Sequence, residues 1–119
     1  MPISVLVVDD DTSFRDLAER LLTANNLEVV GHAGTAAEAI AAAKAIKPDA
    51  VLVDVDLPDQ NGIALTLELR ALPWGPRVIL TSADADAASP EDVSCSGASA
   101  FVHKADLPNS PFELLLAPE

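Results

Sequence analysis

Carboxylate, hydroxyl and ammonium side chains stand at the ends of apolar runs in this sequence, and together they could handle phosphate. Asp9 and Asp10 close the run Ile3-Ser4-Val5-Leu6-Val7-Val8. Asp54 closes Ala50-Val51-Leu52-Val53, Thr81-Ser82 close Val78-Ile79-Leu80, and His103-Lys104 follow Ala98 to Val102. A carboxylate can attack phosphorus to give an acyl phosphate, and Asp54 is the candidate nucleophile. Clustered carboxylates need a cation to ionise together, and hard oxygen ligands with room for water and phosphate favour Mg²⁺. Lys104 could supply a fixed positive charge, and Ser82 a hydrogen bond to a phosphoryl oxygen, with Thr81 its rival.

These residues act together only if the chain brings the run ends to one edge. Short apolar runs rich in Val fit strands covered on both faces, as in a parallel sheet. Between them lie helical patterns. Phe14, Leu17, Ala18, Leu21 and Leu22 share one face, with Asp11 or Thr12 as cap and Asn25-Asn26 as stop. Thr35 and Glu38 are spaced as a capping box, Ile40, Ala43 and Ile46 give the next helix its inner face, and Pro48 ends it. Leu27 to Ala33 reads as the second strand. Ile63 to Leu72 fits a helix through Leu65, Leu69 and Leu72. Asp84 to Ser96 holds Pro90 and four acids with few apolar residues, so any helix there is expected to be short. Pro111 to Leu116 reads as a brief last helix.

Alternating strands and helices imply a parallel sheet with right-handed crossovers. Five of each suit the α/β, flavodoxin-like doubly wound order 2-1-3-4-5, with helices on both faces. That order sets the first and third strands side by side and gathers Asp9, Asp10 and Asp54. The ligand-bearing edge of such sheets is the carboxyl end of the strands.

Bulk composition narrows the alternatives. The 119 residues, half of them hydrophobic, suffice for one domain with a real core. A formal charge of −12 argues against a nucleic-acid partner, which needs clustered Lys and Arg. No apolar run is long enough for membrane insertion, and Met1-Pro2-Ile3-Ser4 lacks the marks of a signal peptide. Cys95 is the one cysteine, expected as a small neutral filler, and a cytoplasmic location is the default. His32 and His103 have no companions of the kind a metal site needs.

The chain resembles the receiver domains of bacterial two-component response regulators. The matching residues are Asp9-Asp10, Asp54, Pro58 and Gly62 in the following loop, Ser82-Ala83, Phe101 and Lys104. The resemblance implies that a histidine kinase or phosphotransfer protein donates a phosphoryl group to Asp54. It implies Mg²⁺ on Asp10, Asp54 and the backbone carbonyl of Asp56, with Asp9 acting partly through water. It also implies that Ser82 and Phe101 move on phosphorylation and pass the signal to a downstream protein. Residues 1–119 are expected to form a single stand-alone receiver without an output domain, and not an enzyme beyond gaining and losing its own phosphoryl group.

Two departures stand out, the residue after Lys104 and the apolar-poor fourth helix and short fifth helix, which together form the family's usual output surface. Ala105 follows Lys104 where the family often has proline, so a trans Lys104-Ala105 bond and a different loop path are expected. Lys104-Ala105-Asp106-Leu107 resembles the branch usually fused to helix-turn-helix domains. The same residues leave two other readings open. One is a degenerate receiver that binds partners without phosphate. The other is a haloacid-dehalogenase-like phosphatase built on Asp54 and Asp56, to which Pro58 is ill suited.

Overall fold

In the computed structural model, residues 3–84, 86 and 88–109 are described. Five strands alternate with helices: β1 (Ser4–Val8), α1 (Thr12–Ala24), β2 (Glu28–Ala33), α2 (Ala36–Ile46), β3 (Ala50–Asp54), α3 (Gly62–Arg70), β4 (Arg77–Ser82), α4 (Pro90–Ser96), β5 (Ala100–His103), then a 3-10 helix (Lys104–Asn109). The sheet order is β2-β1-β3-β4-β5, and every pairing is parallel. The last helix expected at Pro111 to Leu116 lies outside the described residues.

Alternation within each strand divides the core between the two faces of the sheet. Leu6, Val8, Val51, Val53, Val78 and Leu80 pack toward α2 and α3. Val5, Val7, Ala50, Leu52 and Ile79 pack toward α1 and Leu107. Both faces are dry, which is why the strands read as unbroken apolar runs rather than as alternating ones.

The helices correct several expectations. On α1, Phe14, Ala18 and Leu22 are buried, whereas Leu17 is 43% exposed. The buried stripe is therefore narrower than the sequence pattern. Asp11 caps this helix, accepting from Ser13 N at 2.9 Å, and Asn25 ends it. On α2 the sheet-facing residues are Ala36, Ala39 and Ala43, and Ile46 is 42% exposed. Alanine lets the helix lie close to the strands, and Ile46 instead occupies the space over Gly31 at the β2 edge. Only part of the N-terminal device expected for α2 is as foreseen. Thr35 Oγ1 accepts from Glu38 N at 3.1 Å, but the amides of Ala36 and Ala37 go to Asp59.

Helix α4 is short, as the sequence implied, but its Pro and acids support it rather than oppose it. Pro90 stands in the first turn, where its missing N–H costs nothing. Ser89 and Asp92 form a complete capping box. Cys95 is exposed rather than a filler, and Ser96 is the buried small residue of this helix.

Candidate phosphoryl-acceptor site

The β1–β3 register pairs Val8 with Val53, so the chain positions that follow, Asp9 and Asp54, emerge side by side at the carboxyl edge. Asp9 is fully buried and Asp54 is 4% exposed, while Asp10 is exposed. One carboxylate oxygen from each of Asp9, Asp10 and Asp54 lies within 4.8 Å of the others. Lys104 enters from the end of β5. Its Nζ pairs with Asp9 Oδ2 at 2.7 Å and stands 3.6 Å from Asp54 Oδ2. It also lies 4.1 Å from the centre of the Phe14 ring, whose face attracts a cation. Phe14, read from the sequence only as core, thus also helps to aim the ammonium.

Electrostatics follow from this crowding. Burial pushes the Asp54 carboxyl above its ordinary range, the Asp56 amide opposes this, and the Asp9 carboxylate adds to it. For Lys104, burial acts to lower the pKa, but Asp9 and Asp54 together outweigh it and hold the ammonium above its usual value. The lysine stays charged, and the crowding of Asp54 by burial and Asp9 favours more positive charge at this edge.

The loop after Asp54 is held tightly. Asp56 N donates to Asp54 Oδ1 at 3.2 Å, and Gly62 N donates to Val55 O at 2.8 Å. Asn61 caps α3 through Ile63 N at 2.7 Å. A Cβ on Gly62 would run into the Asp54 carbonyl oxygen and the Val55 backbone, so this position requires glycine. Pro58 is exposed on the loop. Asp59, which the sequence reading passed over, accepts from Ala36 N at 2.8 Å and Ala37 N at 3.2 Å. Its position just before Asn61-Gly62 gave no signal, because its partners lie across the chain at the start of α2.

Ser82 and Thr81 separate cleanly. Both are fully buried. Ser82 Oγ donates to Asp56 Oδ2 at 3.1 Å and accepts from Asp84 N at 3.0 Å. Thr81 is in register with Asp54, and its hydroxyl has no hydrogen-bond partner. Phe101 pairs with Leu80 across β4 and β5, so it shares the Ser82 face of the sheet. It is half-buried and lines a groove of about 930 Å³ with Ser89, Pro90, Val93 and Ala98. Among the described residues every peptide bond is trans, Lys104–Ala105 included.

The three acids fit a hard divalent cation. They offer oxygen ligands only, at mutual distances that one ion could span, and Asp9 Oδ2 faces the Lys104 ammonium at 2.7 Å.

Residues 5–113 match the response regulator receiver domain family, and the chain belongs to it. It is therefore a receiver domain of two-component signalling. The chain is 32% identical over 111 residues to the chemotaxis protein CheY of Thermotoga maritima, covering 93% of this chain and 92% of that one. It is 39% identical over 111 residues to protein-glutamate methylesterase/protein-glutamine glutaminase 3 of Anaeromyxobacter dehalogenans, covering 92% of this chain and 32% of that protein. The solved receiver domain of the response regulator NarL from Mycobacterium tuberculosis superposes with a TM-score of 0.80 at 27% identity, covering 98% of each chain. The chain spans only 22% to 48% of the length of the first three curated relatives it matches. Neither the degenerate-receiver reading nor the phosphatase reading is favoured by these likenesses.

Proposed function

We propose that Asp54 is the phosphoryl acceptor of this receiver, with Asp9, Asp10, Lys104 and Ser82 as its working set. A carboxylate oxygen of Asp54 attacks phosphorus on the donor. The new O–P bond forms as the bond to the leaving group breaks, and the leaving group departs with the electron pair and takes up a proton. The donor is a histidine kinase or phosphotransfer protein, whose leaving group is an imidazole nitrogen. The observation that carries this reading is the Lys104 ammonium, held between Asp9 at 2.7 Å and Asp54 at 3.6 Å at the carboxyl edge of the sheet. It is positioned to meet charge that develops on the transferred group.

Asp10, Asp54 and the backbone carbonyl of Asp56 would hold Mg²⁺, with Asp9 acting partly through water. Bound there, the ion offsets negative charge on the phosphoryl oxygens. Ser82 donates to a phosphoryl oxygen once it leaves Asp56, and Phe101 follows on the same face. A downstream protein then reads the surface around α4 and β5. In this reading residues 1–119 make one receiver domain in the cytoplasm. Chemistry is confined to gain and loss of the phosphoryl group, and no nucleic acid is bound directly. Among the described residues no helix is long and apolar enough to cross a membrane.

The test is incubation with Mg²⁺ and acetyl phosphate followed by intact-mass measurement. One phosphoryl group is expected on the parent and none on Asp54→Asn. Full labelling of Asp54→Asn would place the acceptor elsewhere.

A further inference from the structure

Strand β5 ends in a histidine that the phosphoryl chemistry above does not use. His103 Nε2 lies 2.7 Å from the carbonyl oxygen of Ala83, the residue after Ser82. His103 Nδ1 lies 3.2 Å from the amide of Ala105, the residue after Lys104. The partners dictate the tautomer. A carbonyl only accepts, so Nε2 carries the proton. An amide N–H only donates, so Nδ1 is bare. A neutral imidazole supplies one donor and one acceptor, and both are used.

The two contacts differ in reach. The Nδ1 bond is local and closes a turn two residues long, as a short polar side chain does in an Asx turn. The Nε2 bond crosses to the residue that follows β4, twenty residues away in the chain. Register supports it, since Ser82 and His103 are paired across the two strands. The local bond also depends on the neighbour. Ala105 has an N–H to give, and a proline at that position would have none.

We infer that His103 is a positioning residue that ties the Ser82 loop to the Lys104 loop, so that hydroxyl and ammonium are set together around Asp54. This rests on the reading of Asp54 as acceptor. One ring fixes the backbone next to each of the two groups that meet the phosphoryl oxygens. Misplacing such groups by about 1 Å can cost up to about a hundredfold in rate. The His103 ring makes its hydrogen bonds to Ala83 and Ala105 and none to Asp9, Asp10 or Asp54, so it reaches the cluster only through the backbone beside Ser82 and Lys104.

The experiment measures the rate of adduct formation on the full chain with acetyl phosphate and saturating Mg²⁺, followed by intact mass. Calorimetry gives Mg²⁺ affinity, and circular dichroism checks the fold. His103→Leu is expected to form the adduct roughly tenfold more slowly, with Mg²⁺ affinity within about twofold of the parent. His103→Gln keeps one donor and one acceptor and is expected to recover to within about threefold of the parent. Parent-like rates in His103→Leu overturn the inference. So does a His103→Gln variant that folds and is as slow as His103→Leu, because packing would then explain the loss. Should His103→Leu not fold, the ¹⁵N shifts of the ring in the parent at mildly alkaline pH decide. A bare Nδ1 and protonated Nε2 are expected, and the opposite tautomer overturns the inference. A parent that forms no adduct removes the acceptor reading and this inference together, whereas equal rates remove this inference alone.

Discussion

The Ser82 hydroxyl donates to Asp56 Oδ2 at 3.1 Å while accepting from the Asp84 amide at 3.0 Å, so its one proton is committed. On the proposed function, a phosphoryl oxygen on Asp54 has to compete with the Asp56 carboxylate for that proton. Asp56→Ala removes the competitor and a negative charge beside the incoming group. The change is expected to speed phosphorylation by acetyl phosphate about fivefold, the equivalent of one hydrogen bond worth roughly 1 kcal/mol. In a Ser82→Ala background the gain should shrink, because the two residues act through one bond. An undiminished gain there would show that charge alone is responsible.

Ionised Asp54 is expected to make the cation-free protein less stable at neutral pH. Its carboxyl titrates above 3.8 in the folded chain, chiefly through burial, with Asp9 adding to the effect. The folded state therefore binds this proton more tightly than the unfolded state does. Ionised Asp54 costs stability above that window, and the cost fades as pH falls through the raised folded value toward 3.8. Asp54→Asn is expected to raise the melting temperature at neutral pH in a chelator, and the gain should vanish in acid. An equal gain at both pH values would assign the effect to something other than charge.

Mg²⁺ should stabilise the parent by mass action. At a hundred times its dissociation constant the gain is about 2.7 kcal/mol, visible as a shift in thermal unfolding. Asp10→Asn leaves the pair of Asp9 and Lys104 intact and removes a solvent-facing carboxylate. It is expected to weaken Mg²⁺ about tenfold, or about 1.4 kcal/mol. Calorimetry showing parent-like affinity would remove Asp10 from the ligand set.

Gly62→Ala tests the loop behind the acceptor. The new methyl meets the Asp54 carbonyl and the Val55 backbone, neither of which can swing away as a side chain would. A loss of about 1–3 kcal/mol is expected in denaturant unfolding, with slower phosphorylation because the Asp54 carbonyl shifts. A midpoint equal to the parent's would show that the turn yields freely.

The sheet was legible because its signal is local. Buried parallel strands must be apolar throughout, and a carboxylate where such a run ends has to face the ligand edge. Asp9, Asp54 and Lys104 were found on that basis. Helix faces were less legible. The large residues Leu17 and Ile46 look like core in sequence, but small side chains set how closely α2 can approach the sheet. Alanine is apolar without advertising a face. Partners distant in the chain were least legible. Asp59 and His103 act by bonding backbone amides and carbonyls, and backbone groups carry no sequence signature. The nearest signal for His103 was Ala105, whose N–H a proline would have lacked.

The hold of Asp59 on the first amides of α2 gives the acceptor loop a slow clock. The Ala36 and Ala37 N–H groups are hydrogen-bonded to that carboxylate, at 2.8 and 3.2 Å. The Ala36 bond, with help from Ala37, also keeps Asp59 ionised below the usual carboxylate range, so the mooring outlasts mild acid. Deuterium uptake at two alanines on a neighbouring helix therefore counts how often the segment between Asp54 and α3 lets go.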